Sequence, residues 1–270
     1  MHLFPASEAW IEYEKERWCL EQAAAVGVPG PAVLHIGQTE DRAYMIQTFV
    51  PGENGADSPA DRVPLWHELG RLAGRIHSIP FPSAEKRAPE PPASLFGLLS
   101  VATPREWLRQ IEEGIASVSK LDILREHNVY ERKQRDILVS LWEDLKTLPF
   151  RAGLNHGDLS LKNTIVDQDD QVSLLDWGSA LVQAVPYYDL SQIVKNEIES
   201  NDPNQEQTRA FLRGYGLSSS NAEKRIAEAT TYLLLRAFAK ARWAVGRAHP
   251  KASLFVQQAK DILLRRLLEV

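Results

Sequence analysis

The sequence predicts an α+β fold, and three observations carry the prediction. Two short β-branched and aliphatic runs, residues 164–166 and 171–175, flank an acidic turn and read as a tight hairpin. A second such pair, residues 33–37 and 43–50, surrounds the polar turn Gln38-Thr39-Glu40-Asp41. Most of the rest has apolar residues at helical spacing, above all Leu65, Trp66, Leu69, Leu72, Ala73 and Ile76, and then Ile137, Leu138, Leu141, Trp142, Leu145 and Leu148.

Taken in order, the chain opens with a helix running to about Ala25, for which Ser7 is the expected N-cap and whose early glutamates suit the helix dipole. Gly27 and Pro29 end it. The first strand pair follows, and Pro51-Gly52 closes the amino-terminal part, so the expected organisation is residues 1–52 and then a mainly helical 53–270. Residues 79–94, rich in proline and charge, read as an exposed connection. No internal repeat is visible.

Composition narrows the class. A chain of 270 residues can bury one large core or two smaller ones. Its net charge of −5 gives no sign of nucleic-acid or membrane affinity. The single cysteine, Cys19, excludes an internal disulfide framework and, beside Trp18 and Leu20 in a helical pattern, reads as a packed thiol. The amino terminus has no basic flank and apolar run of a signal peptide, and no apolar stretch is long enough to span a bilayer. The expectation is a soluble cytoplasmic protein with neither nucleic acid nor membrane as partner.

The chemistry is concentrated in His156-Gly157-Asp158-Leu159-Ser160-Leu161-Lys162-Asn163 and, beyond the hairpin, Asp176-Trp177-Gly178. These supply the polar parts of a phosphoryl-transfer site: Asp158 to orient a substrate hydroxyl and accept its proton, Asn163 and Asp176 as hard oxygen ligands for Mg2+. A hairpin returns the chain to its origin, which brings Asn163 at its entrance beside Asp176 at its exit. Either fragment alone is more often a turn whose carboxylate caps local N–H groups. The combination across one hairpin is what points to a kinase. His156 is expected to fasten the loop and His77 to hydrogen-bond a neighbouring loop, neither acting as a ligand.

His-Gly-Asp-x-x-x-x-Asn followed by Asp-Trp-Gly resembles the aminoglycoside phosphotransferase and choline kinase group, small-molecule kinases with a protein-kinase-like fold. Further matches are Glu16, Gly27-Val28-Pro29-Gly30-Pro31, Tyr44-Met45-Ile46-Gln47-Thr48-Phe49-Val50-Pro51-Gly52 and Leu69-Gly70-Arg71-Leu72-Ala73-Gly74-Arg75-Ile76-His77, so the resemblance covers roughly residues 10–195. It implies a two-lobe fold, with residues 1–52 as a truncated N-lobe and 53–270 as a helical C-lobe. It also implies Asp158 as catalytic base, Asn163 and Asp176 as metal ligands, and Glu16 at the nucleotide. Gln47, Thr48 and Phe49 become the hinge whose backbone reads the adenine, and Asp189 a brace for the catalytic loop. The implied co-substrate is ATP or GTP with Mg2+, and the implied acceptor a small hydroxylated metabolite or antibiotic.

One departure stands out. Such kinases hold the phosphates with a glycine-rich hairpin and a strand lysine that pairs with the helix glutamate. Only fifteen residues precede Glu16, and residues 1–7 contain neither lysine nor glycine. Lys15 is expected to leave the helix on another side. A start upstream, a reduced lobe, and a non-catalytic pseudokinase or metabolite binder are the three readings, and the first is preferred. Acceptor clues are thinner: Glu197, Glu199, Asp202 and Glu206 suit either a cationic acceptor or, more simply, a solvated acidic loop, with Asn201-Asp202-Pro203-Asn204 favouring the loop. Tyr215, Tyr232 and Trp243 suit a cation cage or, more simply, the core.

Overall fold

The computed structural model describes residues 6–79, 99–118 and 121–268, with side chains in the first helix from residue 9 onward. Ser7, expected as the N-cap, is instead inside the first helix, which already includes Ala6, and all but the first residue of the 79–94 connection lie outside the described residues. In chain order the elements are α1 (Ala6–Ala25), β1 (Val33–Gln38), β2 (Ala43–Gln47), β3 (Glu53–Asn54), α2 (Arg62–Ser78), α3 (Pro104–Ser117), α4 (Ile123–Glu126), α5 (Arg135–Lys146) and β4 (Ala152–Asn155). Then come β5 (Thr164–Val166), β6 (Val172–Leu174), β7 (Leu181–Ala184), α6 (Tyr187–Ser200), α7 (Gln205–Gly214), α8 (Ser219–Gly246) and α9 (Ala252–Leu268). Contacts divide the chain into two compact units.

The first unit comprises Met1–Ala102, Ala152–Asp189 and Glu206–Ser218. Here α1 ends where the sequence predicts. Gly27 takes a φ of +75°, its N–H donates to the Ala24 carbonyl at 2.9 Å, and the Val28 N–H donates to Ala23 at 3.0 Å. This is a Schellman closure, in which glycine avoids the steric cost of a left-handed residue. β1 and β2 pair antiparallel, with Ile36 opposite Met45. The second strand stops at Gln47 rather than running to Val50, because Thr48 folds back on Ala32: its N–H donates to the Ala32 carbonyl at 2.9 Å and its hydroxyl accepts the Ala32 N–H at 2.9 Å. The predicted hairpin is β5–β6, with Thr164 opposite Leu174 and Val166 opposite Val172, and β3 extends it on the β5 side. β4 and β7 form a separate antiparallel pair. Asp61 caps α2, accepting the Val63 N–H at 3.0 Å, and the apolar stripe read from the sequence is its buried face.

The second unit comprises Thr103–Arg151, Leu190–Gln205 and Ser219–Val270, and is helical. Thr103 and Glu106 form a reciprocal capping box at the start of α3. The core is aromatic: Trp107 lies 5.2 Å from Tyr232, and Trp142 meets Phe238 edge-on at 5.6 Å. Asp122 is a buried carboxylate that caps α4 through the Leu124 N–H, accepts the Tyr130 hydroxyl at 2.8 Å and takes Arg242 in a fork at 3.0 and 2.6 Å. Burial pushes this carboxyl up, but the Arg242 hydrogen bonds and charge, with Tyr130, hold it below its usual range.

Two side chains expected in this core are outside it. Ile137 precedes the buried Leu138 on α5 and falls 100° off its stripe, leaving it exposed. Trp243 is exposed on α8, with Arg247 over its ring at 5.4 Å and His249 5.2 Å away. Tyr232 is core as expected, and Tyr215 is engaged with His77 in the first unit. No described helix is long and apolar enough to cross a membrane.

Candidate active site

The loop after β4 is held from beneath by one carboxylate. Asp189, in the first turn of α6 and fully buried, accepts the backbone N–H of His156 at 2.9 Å on Oδ2 and that of Gly157 at 2.8 Å on Oδ1. His77 at the end of α2 adds its Nε2 at 3.0 Å and is itself fixed by the Tyr215 hydroxyl at 3.0 Å. Burial would raise the Asp189 carboxyl, yet His77 and the Gly157 N–H together keep it below the usual range. Gly157 has a φ of +85°, and a Cβ there would lie 2.0 Å from the Ser179 carbonyl oxygen, so no other residue fits without moving backbone.

His156 faces the other way. Its Nε2 donates to the Leu175 carbonyl at 2.9 Å and its Nδ1 accepts the Asp158 N–H at 3.4 Å, while the ring lies 4.8 Å from Trp177. Burial lowers its pKa against the pull of Asp189, Leu175, Asp158 and Asp176. The ring is therefore neutral at pH 7, with its proton on Nε2, and ties the loop to the end of the hairpin as the sequence predicts.

Asp158 carries two contacts on one oxygen. The Asn163 amide nitrogen donates to Oδ2 at 3.0 Å and to the Asp158 carbonyl at 2.9 Å, and Lys162 Nζ lies 3.1 Å from the same Oδ2. Oδ1 is left for another partner. Because both Asn163 donors are engaged, its amide oxygen is the atom free to meet a cation. The Leu175 N–H donates to the Asn163 carbonyl at 2.9 Å, which draws the two ends of the hairpin together next to Asp176. Asp176 sits in the left-handed region, φ +58°, a conformation aspartate tolerates better than most residues, and its side chain is exposed. Among the described residues no group of three His, Cys, Asp or Glu side chains is gathered to hold a metal alone. The donor set of Asn163 and Asp176 nevertheless fits Mg2+, which takes one or two protein oxygens and completes its shell with phosphate and water.

Glu16 reaches this region from α1. Its carboxylate accepts the Trp177 backbone N–H and the Gln47 side chain, and lies close to Asp176. Burial first and the Asp176 charge second raise its pKa, opposed by those two hydrogen bonds and by Lys15. Gln47 thus approaches the site through its amide group. The Thr48 N–H is used by Ala32, and Phe49 is 87% exposed.

Lys15 corrects an expectation. It does not leave on another side: only 5% exposed, it donates to the Gly178 carbonyl at 2.7 Å and pairs with Glu12 at 2.7 Å. Adjacent helical residues diverge by 100°, but the 177–179 turn packs along α1 and the four-carbon stem spans the remaining gap. Sequence reasoning also passed over Ser160, whose hydroxyl is buried within the loop with no hydrogen-bond partner among the described residues.

This chain belongs to the phosphotransferase enzyme family, whose sequence model matches residues 3–229. That membership makes phosphoryl transfer to a small molecule its class of chemistry. Aminoglycoside 3'-phosphotransferases of Salmonella typhimurium and of Escherichia coli are each 26% identical to it over 204 residues, 73% of this chain and 67% of theirs. Among solved structures, ADP-bound aminoglycoside phosphotransferase APH(2'')-Ib matches with a TM-score of 0.58 at 16% identity, covering 95% of this chain and 84% of that one. A thermostable mutant of APH(4)-Ia in ternary complex with ADP and hygromycin B matches at 0.58 and 18% identity, covering 93% and 81%. The fold is the protein-kinase-like α+β fold of these enzymes.

Proposed function

We propose that this chain transfers the γ-phosphoryl group of ATP or GTP to a hydroxyl of a small-molecule acceptor. The observation that carries the reading is the grouping of Asp158, Asn163 and Asp176 by the β5–β6 hairpin, with no hydrogen bond from the described residues to Asp158 Oδ1 or the Asn163 amide oxygen. Two relatives of the fold were crystallised with ADP, which supports a nucleotide as co-substrate. In this reading residues 1–52 are the lobe bearing the hinge at Gln47, Thr48 and Phe49, and 53–270 the helical lobe.

Asp158 Oδ1 takes the acceptor's hydroxyl proton as the oxygen bonds to the γ-phosphorus. The bond from phosphorus to the bridging oxygen breaks, and ADP or GDP leaves. Asn163 and Asp176 would hold Mg2+, which neutralises phosphate charge when bound. Lys162, kept beside the base by its ion pair, adds positive charge where the transferring group passes. Asp189 keeps the loop in this geometry through its two backbone hydrogen bonds, and positioning of this kind is where most phosphoryl-transfer catalysis originates.

A thermal shift with ATP and with GTP, each with and without Mg2+, tests the reading. A nucleotide at about a hundredfold over its Kd adds roughly 2.7 kcal/mol of stability. The expected result is a rise in Tm that requires Mg2+; a protein that melts cooperatively and shifts with neither nucleotide would favour a pseudokinase.

A further inference from the structure

The second unit contains a cavity of about 380 Å³ that belongs to none of the chemistry above. Four helices line it: Gln110 from α3, Gln192 and Lys195 from α6, Leu233, Arg236 and Lys240 from α8, and Phe255, Gln258 and Ile262 from α9. The polar lining is entirely cationic or amide, and no carboxylate is part of it. Arg236 and Lys240 are four residues apart on one helix face, a like-charge pair that disfavours the helix in isolation. Arg236 is steadied by the Ser191 hydroxyl at 3.2 Å, and Lys240 Nζ rests 4.1 Å over the Phe255 ring. Burial, then Lys195 and Arg236, lower the Lys240 pKa, and Glu199 opposes them.

The acidic residues of the same region offset this only at Lys195. Glu197 is buried and paired with Arg265 at 3.0 Å, and Glu199 is paired with Lys195 at 2.5 Å. Both carboxylates lie outside the lining, and Glu199 matches the Lys195 charge, so the cationic character of the cavity comes from Arg236 and Lys240.

We propose that the cavity binds a small organic anion, its carboxylate or phosphate group facing Arg236 and Lys240 and its apolar body against Leu233, Phe255 and Ile262. The volume falls within the range of small-molecule sites, and the lining of apolar walls with a few convergent polar groups is what such sites present. The proposal is independent of the phosphotransferase reading.

Calorimetric titration of the full chain with phenyl phosphate, benzoate and neutral benzyl alcohol tests it. Saturable one-to-one binding of at least one of the two anions is expected, with none of the alcohol. Lys240→Gln, a change at an exposed position that should leave Tm unaltered, should weaken binding tenfold or more. Asp176→Ala should leave binding unchanged, which separates this cavity from any phosphate contact at Asn163 and Asp176. The tighter of the two anions identifies the ligand as a phosphoester or a carboxylic acid. Absence of binding by both anions, or binding unaffected by Lys240→Gln, would overturn the proposal.

Discussion

The ammonium of Lys15 donates to the main-chain carbonyl of Gly178 at 2.7 Å, tying α1 to the turn that carries Asp176. Lys15 is nearly fully buried, so its desolvation is offset by Gly178, by Glu12 and by the nearby Glu16 carboxylate. It is a cation at the turn that carries Asp176, supplied from a helix.

Lys15→Met keeps the apolar stem and removes the charge. It should cost about 1.5–3 kcal/mol, the scale of a hydrogen bond made by a charged group, read as a lowered urea midpoint. A midpoint unchanged within error would mean that the contact contributes nothing to holding the turn.

Gly157→Ala should be worse than its size suggests. The added carbon would meet the Ser179 backbone oxygen at 2.0 Å while the residue is held at positive φ. Neither can yield without displacing the loop that Asp189 braces, so a loss of at least about 2 kcal/mol is expected in denaturant unfolding. Wild-type stability in Gly157→Ala would contradict the described loop.

Stability should fall with acid in two steps. His156 has a folded pKa below its ordinary 6.5, so below pH 6.5 the unfolded chain takes up a proton that the folded chain refuses, and stability declines. Asp189 has a folded pKa below 3.8; its contribution is present above 3.8 and is lost as pH falls through the lower folded value. Comparing Tm between pH 7.5 and 5 for wild type and His156→Gln isolates the first step. The variant should show a shallower decline, and parallel curves would rule His156 out as its source.

The hairpin and its flanking Asn163 and Asp176 were legible because a period-two pattern around an acidic turn permits few other structures. The buried face of α2 was legible for the same reason at a period of 3.6. Asp189 could be connected to the loop only through resemblance, since thirty-odd residues separate it from His156 and no local pattern links them. Lys15 was misread because a helical wheel gives the direction in which a side chain departs and ignores what crosses the helix above it. Trp243 was misread because the apolar residues of α8 were weighed and the cations at helical spacing from it, Arg236, Lys240 and Arg247, which mark its face as the solvent side, were not. The cationic cavity had no signature, as its lining comes from four helices spread over residues 110–262.

The central claim is that Asn163 and Asp176 hold Mg2+ for a nucleotide while Asp158 serves the acceptor. Calorimetry of ATP and GTP binding, with and without Mg2+, to wild type, Asp158→Ala and Asp176→Ala addresses it directly. The account predicts Mg2+-dependent binding by wild type, retained in Asp158→Ala, whose turnover should fall by about 10²–10⁴. It predicts that Asp176→Ala abolishes the Mg2+ dependence. Binding indifferent to Mg2+ in the wild type, or equal mild effects of both substitutions, would contradict it.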